Sequence, residues 1–214
     1  FPSGYTYKFG GEQQEQEEEM AFLSNAFMIA LFLVFIIIVA QFNKIVTPLI
    51  IMSSIILSTI GVFLGLLIFD MDFVVVMTMI GVISLIGIVV NNAIVLIDFI
   101  ELNRKRKLIN KKSNLDLSDI IECISEAGKT RLRPVILTAL TTILGLMPLA
   151  IGMNFDFVNF FKSYEVSFYL GGDNMVFFGP IAWAIIFGLT FATFLTLLVI
   201  PSMYLIQVRL NRFL

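Results

Sequence analysis

Histidine is absent from this 214-residue sequence. The commonest metal ligand and the commonest switch near neutral pH are therefore both missing. A single cysteine, Cys123, excludes an internal disulfide and a thiolate metal cluster. Charge is scarce as well. Asp, Glu, Lys and Arg make up 14% of the residues, against about 25% in a soluble globular domain. The net charge of -2 leaves no basic excess, so no nucleic-acid partner is expected. No Ser/His/Asp or metal constellation exists, and neither enzyme chemistry, a metal nor a cofactor is expected. The sequence starts at Phe1 rather than Met. No basic segment precedes its first apolar run, so no signal peptide is read. The expectation is a piece, or a processed product, of something longer.

What is present is apolar: 58% of residues are hydrophobic and the mean hydropathy is +0.96. The apolar residues come in blocks of about 20, the length a helix needs to cross a hydrocarbon core of roughly 30 Å. Five such segments run over about 21–40, 47–69, 73–100, 134–153 and 176–208. Each should be a helix, because a backbone amide in lipid must find its partner within its own segment. The reading is an all-α membrane protein, a five-helix bundle in contact with membrane lipid.

Lysine and arginine set the orientation. One side carries Lys44, the basic loop 101–133 and the C-terminal Arg209 and Arg212; the other carries only Lys8 and Lys162. The division is twelve against two, out of fourteen. The N-terminus is expected outside the cytoplasm and the C-terminus inside. Before the first span, Tyr5, Tyr7 and Phe9 alternate as in a strand, ended by Gly10-Gly11. Residues 1–20 are read as the tail of an external domain and 21–214 as the membrane bundle. In the basic loop, Leu117, Ile120, Ile121 and Ile124 recur at helical spacing. That predicts a short amphipathic helix, either on the inner membrane surface or packed on other loops. Residues 154–174 are rich in Phe and Tyr and read as an aromatic belt at the outer interface.

Several polar residues interrupt the apolar runs. On the third segment Ser84, Gly87, Asn91 and Asp98 share a helical face, and Asn92 lies about 100° round from Asn91. On the fourth, Arg131, Thr138, Thr141 or Thr142, and Gly145 form a matching stripe. Amides and hydroxyls in membrane bundles often act as packing contacts, worth about 0.6 kcal/mol each; that reading suits Thr141 and Thr142. A charge within the bilayer costs at least about 2.5–3.5 kcal/mol unless it pairs, reaches water or lines an ion path. Asp98 and Arg131 lie near the cytoplasmic ends, where water is in reach. Gly61 and Gly65 on the second segment are a small-xxx-small pair suited to close packing. Pro148, flanked by Gly145 and Gly152, predicts a kink in the fourth helix, either a hinge or a packing feature.

The run Gly87-Ile-Val-Val-Asn-Asn-Ala-Ile-Val-Leu-Ile-Asp98 is followed by Glu126-Ala-Gly-Lys-Thr-Arg-Leu-Arg-Pro-Val-Ile-Leu-Thr138 and by Gly145-Leu-Met-Pro-Leu-Ala-Ile-Gly152. With Ile185-Ile-Phe-Gly-Leu-Thr190 and the opening Phe1-Pro-Ser-Gly-Tyr, the sequence resembles the C-terminal half of a resistance–nodulation–cell division (RND) efflux transporter over nearly its whole length. The resemblance implies transmembrane helices eight to twelve of a twelve-helix, two-repeat protein in the bacterial inner membrane, with residues 1–20 ending its second periplasmic domain. It implies proton-driven export of drug-like or other toxic compounds. It also implies a homotrimer that works with its own N-terminal half, a periplasmic adaptor and an outer-membrane channel.

In that family two acids on the fourth helix of the other half carry the proton. The resemblance makes Asn91, Asn92, Thr138 and Arg131 their relay partners, and the polar stripe on the third segment adds Asp98 to the same set. Drug exporters commonly have Lys where this sequence has Asn91. A lysine holds a carboxylate ionised more strongly than an amide does, so the charge balance of the site differs here. Two other readings stand beside the exporter: an auxiliary subunit of the same superfamily that assists protein export, and a non-functional structural fragment. The first needs a carboxylate relay of its own, for which Asp98 is the sole candidate.

Overall fold

The computed structural model describes residues 11–111, 116–155 and 168–213. The expected strand through Tyr5, Tyr7 and Phe9, and most of the aromatic outer segment, lie outside the described residues. Five helices form: α1 Glu12–Phe42, α2 Val46–Ile68, α3 Val75–Lys111, α4 Leu117–Ala150 and α5 Asp173–Phe213. All five are long and apolar enough to cross a membrane.

The α1–α2 connection is short because Asn43 takes the left-handed conformation at φ 48°, and its N–H closes on the Val39 carbonyl at 2.9 Å. Asparagine tolerates that conformation better than most residues. α3 buries a stripe at three- and four-residue spacing: Thr78, Val82, Leu85, Val89, Leu96 and Ile100 among others. α5 is the central element and packs on α2, α3 and α4. Two apolar clusters stack along the bundle. One is built around Ile51, Ile97, Ile120 and Tyr204, the other around Val62, Leu85, Ala184 and Leu189.

Three sequence expectations differ from the structure. The loop expected over 101–133 is almost wholly helical: α3 runs on to Lys111 and α4 starts at Leu117. The separate amphipathic helix is instead the first turns of α4, with Ile120 and Cys123 buried. Charge explains the extension. Lys107 reaches Asp119 at 3.2 Å and Glu122 at 2.5 Å, while Lys111 reaches Asp119 at 2.6 Å and Asp116 at 3.5 Å. Asp116 and Asp119 also form a reciprocal capping box. A helix of 37 residues is about 55 Å long, so these ends project beyond the bilayer and neutralise each other there.

The second difference concerns Pro148, which lies in the last turn of α4; the helix ends at Ala150. No helix continues beyond it to swing. Gly152 follows at φ 65°, the left-handed stop that glycine favours after a helix. Trp183 on α5 donates its Nε1–H to the Ala150 carbonyl at 2.9 Å, which ties down this end. Third, the described ends of the outer connection are strands. Met153–Phe155 and Phe168–Leu170 pair as antiparallel strands, β1 and β2.

Gly61 and Gly65 lie where α2 crosses α5. A Cβ on Gly61 would overlap the Phe191 side chain, and one on Gly65 the Phe187 side chain. α5 answers with Gly188, where a Cβ would stand 2.8 Å from Val62 and 3.2 Å from the Ser58 carbonyl. Backbones can approach this closely only where side chains are missing.

Candidate functional site

A cavity of about 360 Å³ opens between α3 and α4, lined by Gly87, Ile88, Asn91 and Asn92 from α3 and by Thr138, Ala139 and Thr142 from α4. The lining follows from helical spacing: 87, 88, 91 and 92 span adjoining faces of one helix, and 138 and 142 lie one turn apart on the other. Asn91 is exposed and Asn92 half-buried. Neither side chain has a hydrogen-bond partner among the described residues. The two threonines are partly satisfied locally. Thr138 donates to the Val135 carbonyl at 2.9 Å, and Thr142 to the Thr138 carbonyl at 2.9 Å. Their oxygens can still accept. Nothing lies within 4 Å of a Cβ built on Gly87, so the cleft stays open there.

The chemistry of this lining is that of a hydrogen-bonding receptacle. Each amide offers two N–H donors and an oxygen acceptor. None of the lining side chains titrates near neutral pH, so the cleft holds no proton carrier of its own. No group of three or more His, Cys, Asp or Glu suited to a metal occurs among the described residues.

The structure thus brings together Asn91, Asn92 and Thr138 and leaves the other relay candidates outside. Asp98 is exposed and makes no ion pair among the described residues. It lies two turns from Asn91, about 10 Å along the helix. Arg131 does not line the cleft either: its guanidinium stacks on the Phe99 ring, 4.5 Å from the centroid. Gly145 has nothing within 4 Å and faces open space rather than the cleft. Sequence reasoning did not single out Phe99. Its spacing was the available signal, since it follows Asn92 by two helical turns on the same face. Thr142, on the polar stripe of the fourth helix, also borders the cavity.

Five long apolar helices carrying this amide-lined cleft match the membrane portion of a transporter of the RND superfamily. The chain belongs to the AcrB/AcrD/AcrF family, whose model matches residues 1–155. The swarming motility protein SwrC of Bacillus subtilis is 33% identical over 203 residues, which is 95% of this chain and 17% of SwrC. The multidrug resistance protein MdtC of Klebsiella pneumoniae is 30% identical over 211 residues, covering 98% of this chain and 18% of MdtC. Among solved structures, a heavy metal efflux pump superposes with a TM-score of 0.69 at 25% identity, over 96% of this chain and 17% of the pump. The chain therefore spans about a sixth of the length of the relatives it matches.

Proposed function

We propose that this chain is part of the membrane unit of a secondary active exporter in which proton influx drives the export of small molecules. Asn91 and Asn92 are the hydrogen-bonding partners of carboxylates supplied by the other half of the transporter, and Thr138 borders the same contact. One observation carries this reading: two adjacent amides within an apolar bundle, side by side on an open cleft, with no hydrogen-bond partner among the described residues. An unpaired polar group away from water is costly, and the acceptor-only oxygens of a carboxylate match the four N–H donors offered. Protonation of those carboxylates removes acceptor capacity, weakens the amide contacts and lets the two halves slide.

Substrate choice belongs to parts of the transporter outside this chain. Relatives named for multidrug resistance and for heavy metal efflux support export of toxic compounds as a class. The charge distribution supports a bacterial inner membrane setting, with the start of the chain periplasmic and its end cytoplasmic. Family membership supports a homotrimer joined to a periplasmic adaptor and an outer-membrane channel.

The test replaces both amides, Asn91→Leu and Asn92→Leu, in the complete transporter reconstituted in vesicles. With a proton gradient imposed, export is expected to fall to the ungradiented leak. Wild-type export by a correctly inserted double variant overturns the proposal.

A further inference from the structure

The face of α4 turned away from the cleft changes character along its length. Leu140 lies about 200° round the helix from both Thr138 and Thr142. Lys129, Arg133, Ile136, Leu137, Leu140 and Leu144 recur at three- and four-residue spacing and share that outward face. All six are exposed, so no described element covers them. The face is apolar from Leu144 to Ile136 and cationic where the apolar run ends.

Helix rise sets where the change falls. From Pro134 to Ala150, α4 advances about 25 Å, against a hydrocarbon core of roughly 30 Å. Arg133 therefore stands at the membrane–water boundary rather than beyond it. Lys129, one turn further, lies about 6 Å past it, within a headgroup layer of about 5–7 Å.

Several cations at this end of the bundle are satisfied by protein. Lys44 pairs with Glu101 at 2.7 Å. Arg104 donates to the Tyr204 hydroxyl at 2.6 Å. Lys107 and Lys111 hold acids of α4. Lys129 and Arg133 have neither an ion pair nor a hydrogen bond among the described residues. Glu126, on the same face a turn further from the bilayer, bonds neither of them. Two cations one turn apart, at phosphate depth and continuous with an apolar ridge, match a lipid whose anionic headgroup sits over its acyl chains.

We propose that Lys129 and Arg133 form a binding site for an anionic phospholipid, holding its phosphate while an acyl chain runs along Leu137, Leu140 and Leu144. Arginine supplies a planar fork for phosphate oxygens and lysine a point charge. In the orientation proposed above, the lipid belongs to the inner leaflet. The site lies across α4 from the cleft and does not depend on the exporter reading. α1 provides the contrast. Its exposed apolar residues include Phe32, Ile36 and Ile37, but its last turn has no basic residue and Lys44 beyond it is paired. α1 should contact lipid without selecting among headgroups.

The experiment uses the complete transporter with its own cysteines replaced, Cys123→Ser included. A bimane fluorophore is attached at Leu140→Cys or, as the control, at Ile37→Cys. The protein is reconstituted in vesicles of phosphatidylcholine and phosphatidylglycerol in fixed proportion, with bromine on the chains of one lipid or the other. Each basic residue beside an anionic headgroup is worth about a fivefold preference. At Leu140, phosphatidylglycerol is expected to quench with an affinity up to about twenty-fivefold above that of phosphatidylcholine; at Ile37 the two should quench alike. Lys129→Gln and Arg133→Gln should each lower the preference about fivefold and together abolish it. The charge-keeping pair Lys129→Arg, Arg133→Lys should retain it. The single variants give the answer should the double Gln variant insert poorly. Equal quenching by both lipids at Leu140 overturns the proposal, as does a preference that survives the Gln variants. A preference of the same size at Ile37 overturns it too, since overall charge would then attract the lipid. So does weak quenching by both lipids at Leu140 with normal quenching at Ile37, because the rest of the transporter or a second copy would then cover this face.

Discussion

The α2–α5 crossing and the α3–α4 cleft both place glycine between long apolar helices, with opposite results. At α2–α5, Gly61 and Gly65 receive Phe191 and Phe187 so closely that no Cβ fits. At α3–α4, Gly87 has empty space beside it, and amides and hydroxyls line the gap. The difference lies in what the opposite helix offers. α5 brings aromatic rings that fill the hollow left by a missing side chain, so dispersion contacts close the seam. α4 brings short threonines whose hydroxyls are tied to their own backbone, and these do not reach across. Burial follows the same division: half of the most apolar stretch of α3 and of α5 is buried, but only 11% of that of α4. A closed seam is a structural joint, whereas the open one leaves the Asn91 and Asn92 amides without hydrogen-bond partners among the described residues.

Substitutions can break that contrast. The largest effect on folding is expected for Gly65→Leu, which drives a branched side chain into Phe187. Overpacking of this kind typically costs about 1–3 kcal/mol and sometimes more, and here the obstruction starts at the Cβ itself. Loss of thermal stability and of inserted protein is expected; a stable Gly65→Leu variant would mean the seam is looser than it looks. The double Asn91→Leu, Asn92→Leu change should be the reverse case, abolishing gradient-driven export while leaving the melting temperature nearly unchanged. A large fall in melting temperature would make the amides structural rather than functional.

Smaller effects sharpen the picture. Trp183→Phe keeps a ring packed against Phe69 and Phe187 but loses the bond to the Ala150 carbonyl. A cost of about 1 kcal/mol is expected, read as thermal stability. Gly87→Ala meets no neighbour and improves helix propensity, so stability should hold or rise by up to about 1 kcal/mol. The same substitution at Gly61 should destabilise. If the two behaved alike, the distinction between seam and cleft would fail.

The smallest effect lies at the cytoplasmic end. The hydrogen bond from Lys111, then that from the Asp116 backbone N–H, lowers the Asp119 pKa from 3.8 to about 2. A carboxylate depressed on folding contributes stability that is fully present above its unfolded value and is lost as pH falls through the folded one. The contribution should therefore be complete above about pH 4 and disappear toward pH 2. Thermal melts across that range should show a pH-dependent component that Asp119→Asn removes. An identical pH profile in the variant would mean that the cluster does not stabilise the α3–α4 junction.

Much of the architecture was legible in the sequence because lipid leaves few choices. A run of about 20 apolar residues must satisfy its own backbone, and only a helix does so; the five segments and the α2 glycine pair follow directly. The amphipathic stretch around Ile120 was legible as helix but not as part of α4. Its continuity depends on Lys107 and Lys111 meeting Asp119 twelve and eight residues further along the chain, a pairing that spacing alone does not specify. Asn91, Asn92 and Thr138 could be expected on facing stripes because helical periodicity fixes which residues share a face. That Arg131 turns away from Thr138 and onto Phe99 could not, since it depends on which side chain the neighbouring helix presents at that height. The sequence by itself determined the membrane class, the number of helices and the polar stripes, all of which are properties of one helix and its solvent. Only the tertiary structure decided which stripe is sealed, which is left open and where Arg131 rests, because those depend on contacts between helices.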